Sequence, residues 1–141
     1  MSWLLDTCVV SELVKSRPAA RVVAWIESCD EQSMFLSVIT LGELEKGVAK
    51  LPASARRARL EGWIRRDLPD RFRGRILAVD EAVATRWGAL AGVAERRGGA
   101  LPVIDGLIAA TGIAHDLIVV TRNTSDFARS GARYFDPWSE S

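Results

Sequence analysis

The stretch Trp3-Leu4-Leu5-Asp6-Thr7-Cys8-Val9-Val10 decides how the chain is read. A short apolar run stops at a carboxylate and gives way to Val9, Val10, Leu13 and Val14, which recur at the spacing of one helical face. That order describes a buried first strand, Asp6 at its C-terminal end, and a helix from about Thr7 to Lys15. In open α/β sheets, ligands bind in the crevice outside the carboxyl ends of the strands, where the connections reverse direction. Asp6 therefore stands where a site is expected.

Beyond this stretch, Ser16 and Pro18 give the start signals of a second helix, with Ala19, Val22, Val23, Ile26 and Cys29 on its apolar face. Met34 to Ile39 reads as a second buried strand. Thr40 opens a third helix that turns Leu41, Leu44, Val48 and Leu51 inward and stops at Pro52. Leu60, Trp63, Ile64 and Leu68 fall at helical spacing, so the arginine-rich stretch around them forms the outer side of a packed helix ending near Pro69. Arg75 to Val79 is the third strand. Asp80 caps a long helix with Val83, Trp87, Leu90, Ala91 and Ala94 inward, and Gly98-Gly99 ends it in the positive-φ conformation that a helix C-terminus favours.

Pro102 takes a first-turn position in a helix running to about His115, whose Ala109, Ala110, Gly112 and Ala114 permit close approach to neighbours. Leu117 to Thr121 is a fourth strand, Asn123 to Ala128 a short turn or helix, and Arg133 to Phe135 a weak fifth strand. Strands alternating with helices predict one α/β domain over residues 1–141, a parallel sheet with right-handed crossovers and helices on both faces.

At 141 residues and 48% apolar composition, such a domain buries about two-thirds of its unfolded surface and needs no staples. Cys8 and Cys29 lie within helical patterns and read as buried thiols. With neither a signal peptide nor a long apolar span, a soluble, reducing, cytoplasmic setting without membrane contact is expected. The net charge of +1 hides a segregation: residues 56–75 hold eight arginines against Glu61, Asp67 and Asp70, leaving the rest of the chain acidic. Arg56, Arg57, Arg59, Arg65 and Arg66 are candidates to hold a nucleic-acid backbone, although the same pattern suits a solvated helix face.

Three later acids, Glu43, Asp105 and Asp126, fall at or just beyond a helix start or a strand end. Each has a local explanation, as does Asp6, which suits an N-cap. Thr40-Leu41-Gly42-Glu43 is a T-x-x-E capping box. Asp105 sits in a first turn, where the helix dipole favours a carboxylate by about 0.3–1 kcal/mol. Asp126 suits the cap of a short turn. Their common location at one sheet edge argues for more. Two carboxylates ~4 Å apart repel by about 4 kcal/mol at an effective dielectric of ~20, so a cluster takes up protons or holds a cation.

Oxygen ligands without histidine or cysteine select Mg²⁺ or Mn²⁺ over zinc. Such an ion polarises a phosphodiester and lowers the pKa of water, so the acids point to metal-dependent cleavage of nucleic acid. His115, the one histidine, reads as structural. Thr7, Thr121 and Asn123 are placed to orient carboxylates or water.

These motifs resemble the PIN-domain ribonucleases, and more closely the VapC or FitB-like toxins of bacterial toxin–antitoxin pairs. Leu5-Asp6-Thr7-Cys8-Val9-Val10-Ser11-Glu12-Leu13 is similar to the family's opening motif, and Ser37-Val38-Ile39-Thr40-Leu41-Gly42-Glu43-Leu44 with Gly47 to its second. Asp105-Gly106-Leu107-Ile108-Ala109-Ala110-Thr111 is similar to the third; Val120-Thr121-Arg122-Asn123 with Asp126-Phe127 to the fourth; Asp136-Pro137-Trp138 fits the FitB-like branch. Cys8 stands where asparagine or serine is also frequent, and Asp116 where glycine is usual, a change that a left-handed turn tolerates.

The resemblance implies a three-layer fold with a five-stranded parallel sheet in the order 3-2-1-4-5. It implies Asp6, Glu43, Asp105 and Asp126 as metal-binding catalytic acids, and Mg²⁺-dependent hydrolysis of RNA by activated water. A homodimer and inhibition by a small cognate antitoxin are implied too. A receiver-like signalling domain is the alternative from another class, with Asp80 as phospho-acceptor; it lacks paired acids after the first strand and a late lysine, since Lys15, Lys46 and Lys50 are the only ones. An Asp-x-Asp phosphatase is disfavoured by Cys8 at the second position. A PIN-like protein that binds without cutting is disfavoured by retention of all four acids.

Overall fold

Leu4 and Leu5 are both fully buried, and they face opposite ways. Leu4 joins Ile108, Val119 and Phe127 in one apolar core, while Leu5 joins Val9, Val22, Met34 and Val120 in another. A strand apolar on both faces belongs in the middle of a parallel sheet covered on both sides. In the computed structural model, which describes residues 1–139, β1 (Trp3–Leu5) holds that place. It pairs with β2 (Met34–Ser37), Leu4 opposite Phe35, and with β4 (Ile118–Val120), Leu5 opposite Val120. β3 (Ile76–Leu77) lies outside β2 and β5 (Tyr134–Phe135) outside β4. All pairings are parallel and the order is β3-β2-β1-β4-β5, as the resemblance implied.

One face of the sheet is covered by α1 (Thr7–Leu13), α2 (Ala20–Ser28), α3 (Val38–Ala49) and the segment from α4 (Ala55–Gly62) to α5 (Leu68–Arg71). The other is covered by α7 (Val103–Ala114) and α8 (Thr124–Ser130), with α6 (Glu81–Arg96) packed on α7. Each fully buried leucine or valine of these cores stabilises the fold by about 1.5–3 kcal/mol. Ala109, Ala110 and Gly112 of α7 are buried in close approach as expected, whereas Ala114 is exposed and Gly106 takes a place in the contact that was not anticipated. A methyl group at Gly106 would lie 3.1 Å from Trp87 Cδ1, and one at Gly112 3.0 Å from Val119 Cγ2. Asp116 turns the chain into β4 at φ 55°, the left-handed conformation anticipated for it.

Several boundaries differ from the sequence reading. β2 ends at Ser37, not Ile39, because the Ser37 hydroxyl accepts the Ile39 N–H at 3.0 Å and starts α3 three residues before Thr40. Thr40 is thereby inside the helix and fully buried, and the expected Thr40–Glu43 capping box does not form. The arginine-rich helix is not continuous: residues 63–67 form a π-helical turn in which the Leu68 N–H reaches the Trp63 carbonyl, five residues back. Pro69, which has no N–H to donate, follows at once in the first turn of α5, so the helix passes Pro69 and ends at Arg71.

The third strand is shorter than expected, since Arg75 is a buried strut. Its guanidinium donates to the carbonyls of Glu31, Met34 and Arg71, each at 2.6 Å, and lies 4.9 Å from the Phe72 ring. Pro102 caps α7 from outside rather than entering its first turn. His115 is exposed at the N-terminal edge of the sheet, beside Ser2 and Arg133, and the two cysteines are half-buried free thiols. Among the described residues no helix is long and apolar enough to cross a membrane.

Candidate active site

β1 connects towards β2 on one side and pairs with β4 on the other, so the C-terminal ends of β1 and β4 form the switch point of the sheet. Asp6 and Thr121 follow directly. The Asp6 N–H continues the ladder to the Val120 carbonyl (2.9 Å), which leaves its side chain at the crevice. Asp6 is only 6% exposed and does two things at once. Its Oδ1 caps α1 by accepting the Thr7 N–H at 2.8 Å, as the local explanation required, and its Oδ2 accepts the Thr121 hydroxyl at 2.8 Å and the Cys8 thiol at 3.7 Å. Burial raises the Asp6 carboxyl above its ordinary value against these donors, and Glu43 raises it further. Burial and the Asp6 charge push the Cys8 thiol up to about 11, so it stays protonated and donates.

Glu43 arrives from the second turn of α3. The Thr7 hydroxyl donates to its Oε1 at 2.6 Å and lies 3.2 Å from the hydroxyl of buried Thr40. On the other side, α7 presents Asp105 and α8 presents Asp126. The Asn123 amide joins them, donating to Asp105 Oδ2 at 2.7 Å and Asp126 Oδ2 at 2.9 Å, while its own N–H is held by the Thr121 hydroxyl at 2.9 Å. Arg129, one turn on, pairs with Asp126 Oδ1 at 2.6 Å.

The electrostatics divide the pair. Burial first, then the hydrogen bond with Asp126 and the charges of Asp6, Asp126 and Glu43, raise the Asp105 carboxyl to about 7. Asp126 is held below its ordinary value, first by Arg129 and then by Asn123. Of the two, Asp105 takes up a proton the more readily and Asp126 keeps its charge.

All four predicted acids and the three predicted orienting groups therefore meet at one edge and influence one another. Among the described residues, no three histidine, cysteine or carboxylate side chains stand close enough to form a ready-made ligand set. The donor chemistry fits a hard divalent cation; closing a ligand set around one entails side-chain rotation, which the exposed position of Asn123 permits. Thr40, Cys8 and Arg129 are parts of the site that the sequence reading missed. Arg129 was legible as an acid–base pair at i, i+3 on a helix, whereas Thr40 was hidden by its plausible capping role.

The five candidate arginines are dispersed. Arg57 is held by Glu61 (2.8 Å) and the Leu51 carbonyl (2.9 Å), and Arg65 by Glu45 (2.9 Å) and Glu61 (3.2 Å). Arg66 folds back over Gly62. Arg56 and Arg59 line a cleft beside the site.

A model of the PIN domain family matches residues 3–132. The chain belongs to the PIN domain family. It is 38% identical over 137 residues to the toxin FitB of Neisseria gonorrhoeae, covering 97% of this chain and 99% of that protein. It is 36% identical over 135 residues to the VapC ribonuclease Y4jK of Sinorhizobium fredii, 96% of each. Among solved structures, a chain of FitAB bound to the IR36 DNA fragment superposes with a TM-score of 0.92 at 36% identity, over 99% of this chain and 97% of that one. The sheet order of this PIN domain differs from the 2-1-3-4-5 order of receiver domains, and Asp80 is engaged as the cap of α6, its Oδ1 accepting the Val83 N–H at 3.0 Å. The receiver alternative falls on both counts.

Proposed function

We propose that this PIN domain is a divalent-metal-dependent endoribonuclease, the toxin of a toxin–antitoxin pair. The observation that carries the chemistry is the meeting of Asp6, Glu43, Asp105 and Asp126 at one sheet edge, tied together through Thr121, Thr7 and Asn123, and the upward push that burial and the other three acids exert on the Asp105 carboxyl agrees with it. Negative charge is gathered here that protons or a cation must relieve. Asp6, Glu43, Asp105 and Asp126 would hold Mg²⁺ or Mn²⁺. When bound, the ion supplies a Lewis acid that polarises a phosphodiester and lowers the pKa of water.

The chain's own groups set the geometry. Thr121 and the Thr7 amide fix the Asp6 carboxylate, and the Thr7 hydroxyl fixes Glu43. Asn123 keeps Asp105 and Asp126 at one distance, and Arg129 holds Asp126 ionised.

The likeness to the toxin FitB and to a VapC ribonuclease supports RNA as substrate and a toxin's role; the likeness to a chain of a toxin–antitoxin complex from Klebsiella pneumoniae supports a small antitoxin as partner. A homodimer is part of the same proposal. The test is a gel: purified, antitoxin-free chain with end-labelled RNA and single-stranded DNA, in Mg²⁺ or EDTA. RNA is expected to be cut in Mg²⁺ only, with Asp6→Asn and Asp105→Asn slowed at least a hundredfold. Cleavage that persists in EDTA, or in both folded variants, overturns the metal-site reading.

A further inference from the structure

An arginine that already grips a carboxylate has few donors left for a phosphate. Of the eight arginines between residues 56 and 75, Arg57, Arg65, Arg71 and Arg73 are paired with acids, and Arg75 is spent on backbone carbonyls. Among the described residues, Arg56, Arg59 and Arg66 hold no ion pair, and Arg66 folds back over Gly62, away from the cleft that the other two line. That cleft, of about 590 Å³, is also lined by Lys15 and Arg17 from the α1–α2 connection. Lys15 is tied to Glu12 at 2.8 Å, whereas Arg17 has no ion pair among the described residues, so three guanidinium groups with free donors share one concavity. A second cleft of about 320 Å³ shares Lys15, Arg56 and Leu60 with the first and continues to Thr7 and Glu43. The basic cleft thus opens directly onto the acidic centre.

We propose that this cleft is the track of a single-stranded phosphodiester backbone, which Arg17, Arg56 and Arg59 grip on its way to Glu43. Cations gathered in a concave wall concentrate their field and offset the repulsion that the four acids exert on an approaching phosphate. Leu60 and Val14 add apolar surface to the lining, against which sugars and bases can pack. The proposal rests on the ribonuclease reading for what happens at the acidic end; the grip itself does not depend on cleavage.

Fluorescence anisotropy of a short, unstructured, fluorescein-labelled RNA, in EDTA across a range of NaCl, tests it. Single-strand binding loses about 0.7 in the slope of log K against log salt for each cation removed. The triple variant Arg17→Gln, Arg56→Gln, Arg59→Gln is expected to be shallower than wild type by about 2. Arg57→Gln, Arg65→Gln is expected to lose less than half of that. If the triple variant does not fold, Arg17→Gln and Arg59→Gln singly are expected to lose about 0.7 each.

An unchanged slope in a folded triple variant overturns the proposal, as does an equal loss in the Arg57/Arg65 control or an absence of RNA binding by wild type at low salt. Loss of antitoxin capture with the RNA slope retained would make the cleft a protein-docking face, which also overturns it. RNA binding that weakens as expected while the cleavage gel stays blank sustains the track and removes the ribonuclease reading.

Discussion

At Asp105, partial burial and three neighbouring acids work in one direction, lifting the carboxyl from 3.8 to about 7. The folded chain therefore keeps a proton that the unfolded chain sheds near pH 4. Below pH 4 both states are protonated and the residue makes no difference. As pH rises from 4 to 7 only the unfolded state gains by releasing its proton, so Asp105 destabilises the fold progressively, and above 7 that penalty is complete. Asp6, raised chiefly by burial, acts in the same sense. Paired acids such as Asp126 act oppositely, so a comparison isolates Asp105. In metal-free buffer, the melting temperature of Asp105→Asn should gain on that of wild type steadily from pH 4 to 7, since an amide is neutral throughout. Parallel melting curves across that range would show that Asp105 titrates normally and that the acids do not press on one another.

The elements are held in place by contacts that spare no room. In α7, Gly112 faces β4, where an added methyl would meet Val119 Cγ2 at 3.0 Å and the Leu117 carbonyl at 3.4 Å. In α6, Gly88 has no atom within 4 Å of the same methyl. Gly112→Ala should therefore destabilise by about 1–3 kcal/mol through overpacking, and Gly88→Ala should stabilise by up to about 1 kcal/mol through helix propensity. Urea melts of the two check the opposite signs, and two shifts of the same sign would contradict the packing described. Ala109, Ala110 and Gly112 of α7 were legible as a close-approach face, Gly106 was not, and the strand–acid–helix order placed Asp6 and the switch point. Two features were not legible, for physical reasons. Thr40-Leu41-Gly42-Glu43 is self-consistent as a capping box, and only the prior claim of Ser37 on the helix start releases Glu43 to Thr7. The arginines read as one basic face because Arg65's partner Glu45 is twenty residues away and folding alone brings it near, while the π-helical turn ahead of Pro69 leaves no periodic trace.

Over the whole molecule, the acids come from the start of α1, the second turn of α3 and the first turns of α7 and α8. No part of the unfolded chain carries this arrangement, so an ion that fits the site binds the native state and stabilises it by about 2.7 kcal/mol at a hundred times its Kd. MgCl₂ added to metal-free protein should raise the melting temperature, more at pH 8 than at pH 5, where protons compete for Asp105. Sodium chloride at matched ionic strength should not, and Asp6→Asn should lose the effect. Identical melting with and without Mg²⁺ at pH 8 would remove the metal from the proposal. The Asn123 amide that joins Asp105 to Asp126 has one more consequence, in time rather than space. Synthesis runs from the N-terminus, so a nascent chain displays Asp6, Glu43 and Asp105 before it owns the residues that complete the centre. On the ribonuclease reading, the polypeptide is harmless to the ribosome that is making it, and becomes dangerous only after α8 has been released and docked.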